Sequence, residues 1–180
     1  MTPDYDALIE LAKECGFTCA APLYTKNLRF LQEVRAMCEV NTCGRYGASW
    51  SCPPACGTLE ELSRKALTYR EGIIVQTVGQ LEDSFDWEGI QDAAARQRDN
   101  FMKMWDELEK QYPDLMPMGM GSCTLCEKCT YPDAPCRFPK RRTASMEACG
   151  LVVSEVCKSC GIPYNHGPNT IAYTGCFLLV

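Results

Sequence analysis

Residues 123–139, CTLCEKCTYPDAPCRFP, contain the triplet Cys123-x-x-Cys126-x-x-Cys129 and then Cys136, just ahead of Pro139. In ferredoxins, cysteines in this register face one cuboidal iron-sulfur cluster, and a more distant cysteine supplies the fourth ligand. Structural zinc sites instead pair two C-x2-C motifs across a longer spacer, because four ligands must surround one small ion. The spacing therefore predicts a 4Fe-4S cluster on these four cysteines, with zinc as the alternative.

A second cysteine-rich segment, residues 38–57, has no periodicity and is rich in glycine and proline. Its four cysteines are Cys38, Cys43, Cys52 and Cys56. Glycine and proline allow the tight bends that bring backbone amide groups close to sulfur. Four thiolates suffice for a second 4Fe-4S cluster, but this spacing is less diagnostic, so zinc or a mixture of free and ligating thiols stays open. Tyr46 and Trp50 are expected either to cover this second site or to pack in the core.

The assignment of cysteines to sites is open at two points. In two-cluster ferredoxins the fourth cysteine of the triplet run binds the other cluster, so Cys38 and Cys136 could be exchanged while the set of eight ligands stays the same. A third metal site is also open, because two further cysteine pairs have spacings that suit metal binding. These pairs are Cys15 with Cys19 and Cys157 with Cys160.

The length and composition predict one iron-sulfur domain over residues 1–180, because a chain that is 46% hydrophobic can bury a sizeable core at this length. Its 14 cysteines would suit a disulfide-rich secreted protein, but such proteins are short. The N-terminal sequence MTPDYDALIELAKECG lacks the features of a signal peptide, and the apolar stretch within 171–180 is too short to span a bilayer. We therefore expect a cytoplasmic protein. A net charge of −5 argues against general nucleic-acid binding.

Capping residues and hydrophobic periodicity predict an α/β fold. Helices are expected to follow the caps Asp4, Asn27, Thr58, Asp86 and Ser145 and to end near residues 14, 38, 69, 111 and 160. Strands are expected over residues 19–24, 73–78, 115–120 and 171–180. Strands separated by helices favour a small sheet with helices packed on it. The two cysteine-rich segments would be metal-binding loops at the rim of that sheet.

Four segments together resemble a family of predicted metal-binding proteins of unknown function, found mostly in anaerobic archaea and bacteria. They are CGRYGASWSCPP at 43–54, CTLCEKC at 123–129, CRFP at 136–139 and SMEACG at 145–150. The resemblance implies an iron-sulfur protein, and for some members a place beside corrinoid methyl-transfer or other anaerobic redox systems. It implies as ligands Cys43, Cys52, Cys123, Cys126, Cys129 and Cys136, whereas Cys157, Cys160 and Cys176 depart from the family pattern.

Other reactive residues have simpler explanations than catalysis. The pair Cys157-x-x-Cys160 falls near the end of the last predicted helix, where the helix dipole opposes thiolate formation, so packing is favoured over redox chemistry. Cys149 and Cys176 lie in apolar settings that are typical of a core. The basic run Lys140–Arg142 is either a solvated turn or a docking patch for an acidic partner or a phosphate.

Eight thiolate ligands, without a nucleophile or nucleotide-binding motif, favour an electron carrier and predict no catalytic residue. We expect two clusters that pass single electrons to a partner redox enzyme or corrinoid-dependent enzyme. An alternative is a catalytic or assembly component whose cluster keeps a site for a ligand, with His166 or the Lys140–Arg142 run orienting it. Otherwise His166 is a surface turn residue. A further alternative is a zinc-stabilised interaction module without a redox role.

Overall fold

The computed structural model describes residues 2–180, which form four strands and five α-helices. The strands are β1 (Cys19–Tyr24), β2 (Glu71–Gln80), β3 (Met116–Met118) and β4 (Thr170–Leu178). The helices are α1 (Tyr5–Glu14), α2 (Gln32–Glu39), α3 (Leu59–Ala66), α4 (Trp87–Gln111) and α5 (Val153–Ser159). The four strands form one sheet in the order β1-β2-β4-β3, and each neighbouring pair is antiparallel. The predicted α/β fold with a small sheet is confirmed.

Both faces of the sheet are covered, which explains why residues 72–77 of the central strand β2 are all buried. Ile73 and Val75 of β2 face a core that α1 and α4 supply, with residues such as Phe101 and Met104. α4 can lie along this face because its apolar residues recur at three- and four-residue steps, and Asp86 caps its start. Within residues 2–180, no helix combines the length and apolar character needed to cross a membrane.

The opposite face of the sheet is packed mainly by irregular chain that adjoins the cysteine-rich loops. Ile74 of β2 contributes to this core together with Met146, Leu151 and Val156. Gly119 and Ser145 form a short parallel bridge, which closes the base of the loop that holds the first cysteine group. This second core therefore fixes the starting and ending points of that loop.

Three of the five predicted helix caps are confirmed. The side chains of Asp4 and Asp86 accept backbone N–H bonds, and Thr58 forms a complete capping box with Glu61. Such caps are local in sequence, since each joins residues three positions apart.

Two predicted helix starts are wrong, and one contact explains both. The chain at Thr25–Asn27 forms a 3-10 turn, and α2 begins only at Gln32. Ser145 accepts an N–H bond from Ala148, but this turn ends at Gly150, and α5 begins at Val153. Gly150 adopts a φ of +81° and lies against the backbone of Leu31, whose N–H donates to its carbonyl at 2.8 Å. Pairing with another segment thus prevents both segments from continuing as helices.

Candidate metal centres

The first candidate centre is the loop between Gly119 and Ser145. All four predicted ligands line one cavity of about 340 Å³, measured out to open solvent. They are Cys123, Cys126, Cys129 and Cys136. None of the 14 cysteines, which all lie between residues 15 and 176, forms a disulfide. The structure thus brings the four sulfur-bearing residues of the triplet run around a common space.

Polar groups around Cys129 favour a negatively charged sulfur. Burial alone would raise the pKa of the Cys129 thiol, but hydrogen bonding from the backbone of Tyr131, Trp50 and Thr130 and from the Ser49 side chain outweighs it and lowers that pKa. Burial raises the pKa of Cys123, and the neighbouring thiols add to that increase. Hydrogen bonds to sulfur also stabilise the negative charge of protein-bound iron-sulfur clusters.

The second cysteine-rich segment supplies part of the first centre. The Ser51 hydroxyl accepts the backbone N–H of Cys123 at 2.9 Å. The Trp50 ring packs edge-on against Tyr131, with ring centroids 4.9 Å apart, and its Nε1–H donates to the Ala134 carbonyl at 3.0 Å. Trp50 therefore packs over the first loop, which corrects the expectation that it covers the second site. Arg142 holds Trp50 in place by donating to its carbonyl at 2.8 Å.

The second candidate centre lies at the end of α2 and in the loop that follows it. The pKa of Cys38 is raised by burial and, to a smaller extent, by the nearby thiols of Cys43 and Cys52. The pKa of Cys56 is likewise raised by burial, with Cys52 again a neighbour. The structure therefore groups Cys38 with the second segment, whereas Cys136 lines the cavity of the first.

A buried arginine at the second centre was missed in the sequence. Arg35 is 6% exposed and donates to the carbonyls of Ala148 and Gly57, each at 2.5 Å. Its charge lowers the pKa values of Cys38 and Cys56 against the larger effect of burial. Among residues 2–180 it forms no ion pair with a carboxylate. A buried charge needs a partner, and the grouped sulfurs can become anionic, as can the carboxylate of Glu147, which also lies near Cys38.

The described side chains do not close around a single metal ion. Four thiolates about 2.3 Å from one zinc ion would lie about 3.8 Å from one another. In the described part of the chain, no three histidine, cysteine, aspartate or glutamate side chains converge closely enough to hold one metal ion. All-sulfur donors and N–H groups directed at sulfur are also found around protein-bound iron-sulfur clusters.

A wide cavity borders the second centre at Cys56. Its volume, measured out to open solvent, is about 1260 Å³, and its walls include Ser51 and Cys56. Lys65, Lys140 and Arg142 also border it, and together they outnumber the one carboxylate in its walls, Glu109. Solutes can therefore approach Cys56 from this side, whereas Trp50 restricts access to the first centre.

The three members of the basic run point to different partners. Lys140 borders the wide cavity. Arg141 pairs with Asp106 and Glu109 of α4 and lies over the Trp105 ring at 4.4 Å. Arg142 donates to the Trp50 carbonyl and lies over the Trp50 ring. The three basic residues therefore do not form a single docking patch.

The proposed third site does not assemble as a group of four. Cys15 belongs to the core under α1 and α4, on the opposite face of the sheet from Cys157. Burial raises the pKa values of Cys157 and Cys160, and Cys160 caps the C-terminal end of α5. Neither thiol is activated, in agreement with packing as their main role.

The remaining candidates lie in structural environments. Burial raises the pKa of Cys149 to about 12, and burial likewise raises that of Cys176 well above its usual value. Both side chains are fully buried, as expected for core cysteines. His166 Nε2 lies 2.7 Å from the amide oxygen of Gln76, and His166 does not line the cavities around either cysteine loop.

Comparison with known proteins identifies a family. Residues 21–179 match the family model described as "Predicted metal-binding protein (DUF2284)". The search of curated proteins and the search of solved structures gave no match. Because the matched range includes both cysteine-rich loops and most of the sheet, the chain belongs to this family of predicted metal-binding proteins.

Proposed function

We propose that the protein carries two 4Fe-4S clusters and transfers single electrons to a partner redox or corrinoid-dependent enzyme in a reducing cytoplasm. The proposed ligands of the first cluster are Cys123, Cys126, Cys129 and Cys136, and those of the second are Cys38, Cys43, Cys52 and Cys56. Membership of a predicted metal-binding family supports the coarser part of this proposal.

The observation that carries the proposal is the convergence of the triplet run on one cavity with N–H donors at Cys129. A cluster bound there would accept and release one electron at a time. Hydrogen bonding to Cys129 would stabilise the additional negative charge and so favour reduction. Trp50 would limit the access of water and oxygen to the same sulfurs.

Exposed apolar residues beside the second centre suit contact with a protein partner. Met37 and Val40 flank Cys38 and are 71% and 75% exposed. Exposed apolar side chains of this size contribute strongly when they are covered in an interface. Electrons would then leave from the second centre, where Cys43 is itself exposed.

Metal and sulfide analysis tests the proposal directly. Anaerobically purified protein should contain about eight iron atoms and about eight acid-labile sulfides per chain, as two 4Fe-4S clusters require. Reduction with dithionite should produce the low-temperature paramagnetic resonance signals of reduced clusters. A colourless protein that holds stoichiometric zinc and no acid-labile sulfide would contradict the proposal and support a zinc-stabilised interaction module.

The wide cavity supports a second candidate function, in which the second cluster binds an exogenous ligand. Cys56 borders this cavity, and Lys65 and Lys140 would attract an anionic compound. Cyanide, a small anionic iron ligand, serves as the probe. A change in the resonance signal of one cluster on cyanide addition would favour this candidate, and unchanged signals from both clusters would favour the electron carrier.

A further inference from the structure

A pocket that adjoins the first centre lies between α4 and the chain that enters the first cysteine loop. Its walls include Phe101 and Met102 of α4 and Met120 and Leu125 of the incoming chain. The space between them is about 530 Å³, measured out to open solvent. Walls of aromatic, thioether and aliphatic residues suit a flat ring better than a hydrated ion.

Gln97 gives this pocket a polar group that lacks a partner. The residue lines the pocket and is 1% exposed, and neither its amide nitrogen nor its amide oxygen has a hydrogen-bond partner among residues 2–180. Native proteins rarely bury such a group unless something satisfies it. Asn100, one helical turn further along α4, is also buried but donates to Thr77 at 3.2 Å. Of these two buried amides on α4, only Gln97, which lines the pocket, lacks a hydrogen-bond partner.

The amide of Gln97 indicates which chemical group on a ligand would pair with it. The Gln97 side chain offers a carbonyl acceptor and an N–H donor next to each other. A ring that presents an N–H beside a carbonyl, the cis-amide edge, satisfies both with two parallel hydrogen bonds. Uracil, pterin and flavin rings all carry this edge, and each is flat enough to lie against Phe101 and Met120.

The pocket also contains a positively charged group, the guanidinium of Arg98. Arg98 borders the same space and forms no ion pair with any residue from 2 to 180. Arg141, which also borders it, is already paired with Asp106 and Glu109. Arg98 is therefore the cation available to an anionic substituent such as a phosphate.

We propose that this pocket binds a planar heteroaromatic compound whose cis-amide edge pairs with Gln97 and whose anionic substituent faces Arg98. Cys123 and Leu125 border both this pocket and the cavity of the first centre, so a bound ring would lie beside that centre. Binding of the ring does not depend on which metal the cysteines hold.

Calorimetric titration of the anaerobically purified full chain tests the proposal with three probes, namely uridine 5′-monophosphate, 6-carboxypterin and riboflavin 5′-phosphate. At least one probe should bind with a Kd below about 1 mM. Gln97→Leu should weaken that probe about tenfold or more, since the amide edge then loses both partners. Methylation of the ring nitrogen on that edge should cause a similar loss. Gln91→Leu, an exposed change on the same helix, should have no effect.

The role of Arg98 is tested by comparing the binding of riboflavin 5′-phosphate with that of riboflavin. Arg98→Gln should reduce the preference for the phosphorylated form severalfold, whereas Arg96→Gln, an exposed change on the same helix, should leave it unchanged. An unchanged preference in Arg98→Gln would overturn the assignment of that residue. Failure of all three probes to bind, or equal binding of the ring-methylated probe, would overturn the proposal as a whole.

Thermal unfolding gives a readout that does not need a ligand. Gln97→Leu removes an unpaired buried amide, so the ligand-free variant should melt at or up to about 4 °C above the wild type. A structural role for Gln97 predicts the opposite. A melting temperature several degrees below the wild type would overturn the proposal, because it would mean that the amide already has a partner in the protein.

Discussion

The two cysteine loops differ in what positions their sulfurs. The first, residues 119–145, is closed at its base by the bridge between Gly119 and Ser145, and backbone groups within the loop and at Trp50 surround Cys129. The second, residues 38–57, has backbone hydrogen bonds within its own turns but no bridge between its ends, and the buried side chain of Arg35 holds its far end by donating to the Gly57 carbonyl. A loop whose ends are joined by backbone pairing tolerates changes elsewhere, whereas a loop whose end is held by one side chain depends on that residue. The following predictions test this difference.

The largest expected effect comes from Arg35→Met. The substitution leaves the carbonyls of Ala148 and Gly57 without their donor and removes the buried charge beside Cys38 and Cys56. We expect the free energy of unfolding to fall by about 2–4 kcal/mol. Iron content should fall by about half, because only the second centre is lost. Iron and sulfide analysis combined with denaturant unfolding measures both effects.

Arg64→Met is the matched control, because Arg64 forms only an exposed pair with Glu60 on α3. Such pairs contribute at most about 0.5 kcal/mol, so stability and iron content should stay close to the wild type. A full complement of iron in Arg35→Met would refute the role given to this residue.

Cys129→Ser should empty the first centre without harming the fold. Cys129 is only half-buried and lies in an irregular loop, so its removal costs little packing. Iron and acid-labile sulfide should each fall by about half, and the remaining resonance signal should be that of the second cluster. Cys160→Ser, another partly exposed cysteine, should retain all of the iron. Equal losses in the two variants would mean that the triplet run has no special role.

Trp50→Ala tests whether the second segment protects the first centre. The change removes the contact with Tyr131 and the hydrogen bond to the Ala134 carbonyl. We expect a loss of about 1–3 kcal/mol in stability and a severalfold faster bleaching of the first cluster in air. Trp50→Phe keeps an aromatic ring, so its stability and its bleaching rate should lie between those of the wild type and those of Trp50→Ala. Visible absorbance followed over time distinguishes the three proteins. Bleaching of Trp50→Ala at the wild-type rate would contradict the role of Trp50 in covering the first centre.

The parts of the molecule that the sequence predicted are those that local geometry determines. The caps at Asp4, Thr58 and Asp86 each join residues within one helical turn, so their sequence signal is complete. The convergence of the triplet run has the same origin, because its first three cysteines are three residues apart. Whether those sulfurs hold iron remains a prediction.

The parts that were missed depend on contacts between distant segments. The start of α2 is set by the pairing of Leu31 with Gly150, a contact that no local pattern indicates. Arg35 carried one usable signal, its position one helical turn before Cys38 and therefore on the same side of α2. Its carbonyl partners, Ala148 and Gly57, could be found only in the folded chain.

The smallest expected effect comes from Ser51→Ala, which removes one hydrogen bond between the loops. Ser51 accepts the N–H of Cys123 at 2.9 Å and lies 3.0 Å from the Ser49 hydroxyl, which itself contacts Cys129. The free energy of unfolding should decrease by about 1 kcal/mol, and the first cluster should lose iron to a chelator about twofold faster. Ser63→Ala, which removes an exposed hydroxyl on α3, should change neither value. Release of iron from the second centre instead would contradict this prediction, because it would mean that Ser51 supports Cys52 of its own loop, 3.8 Å away, and not the first loop.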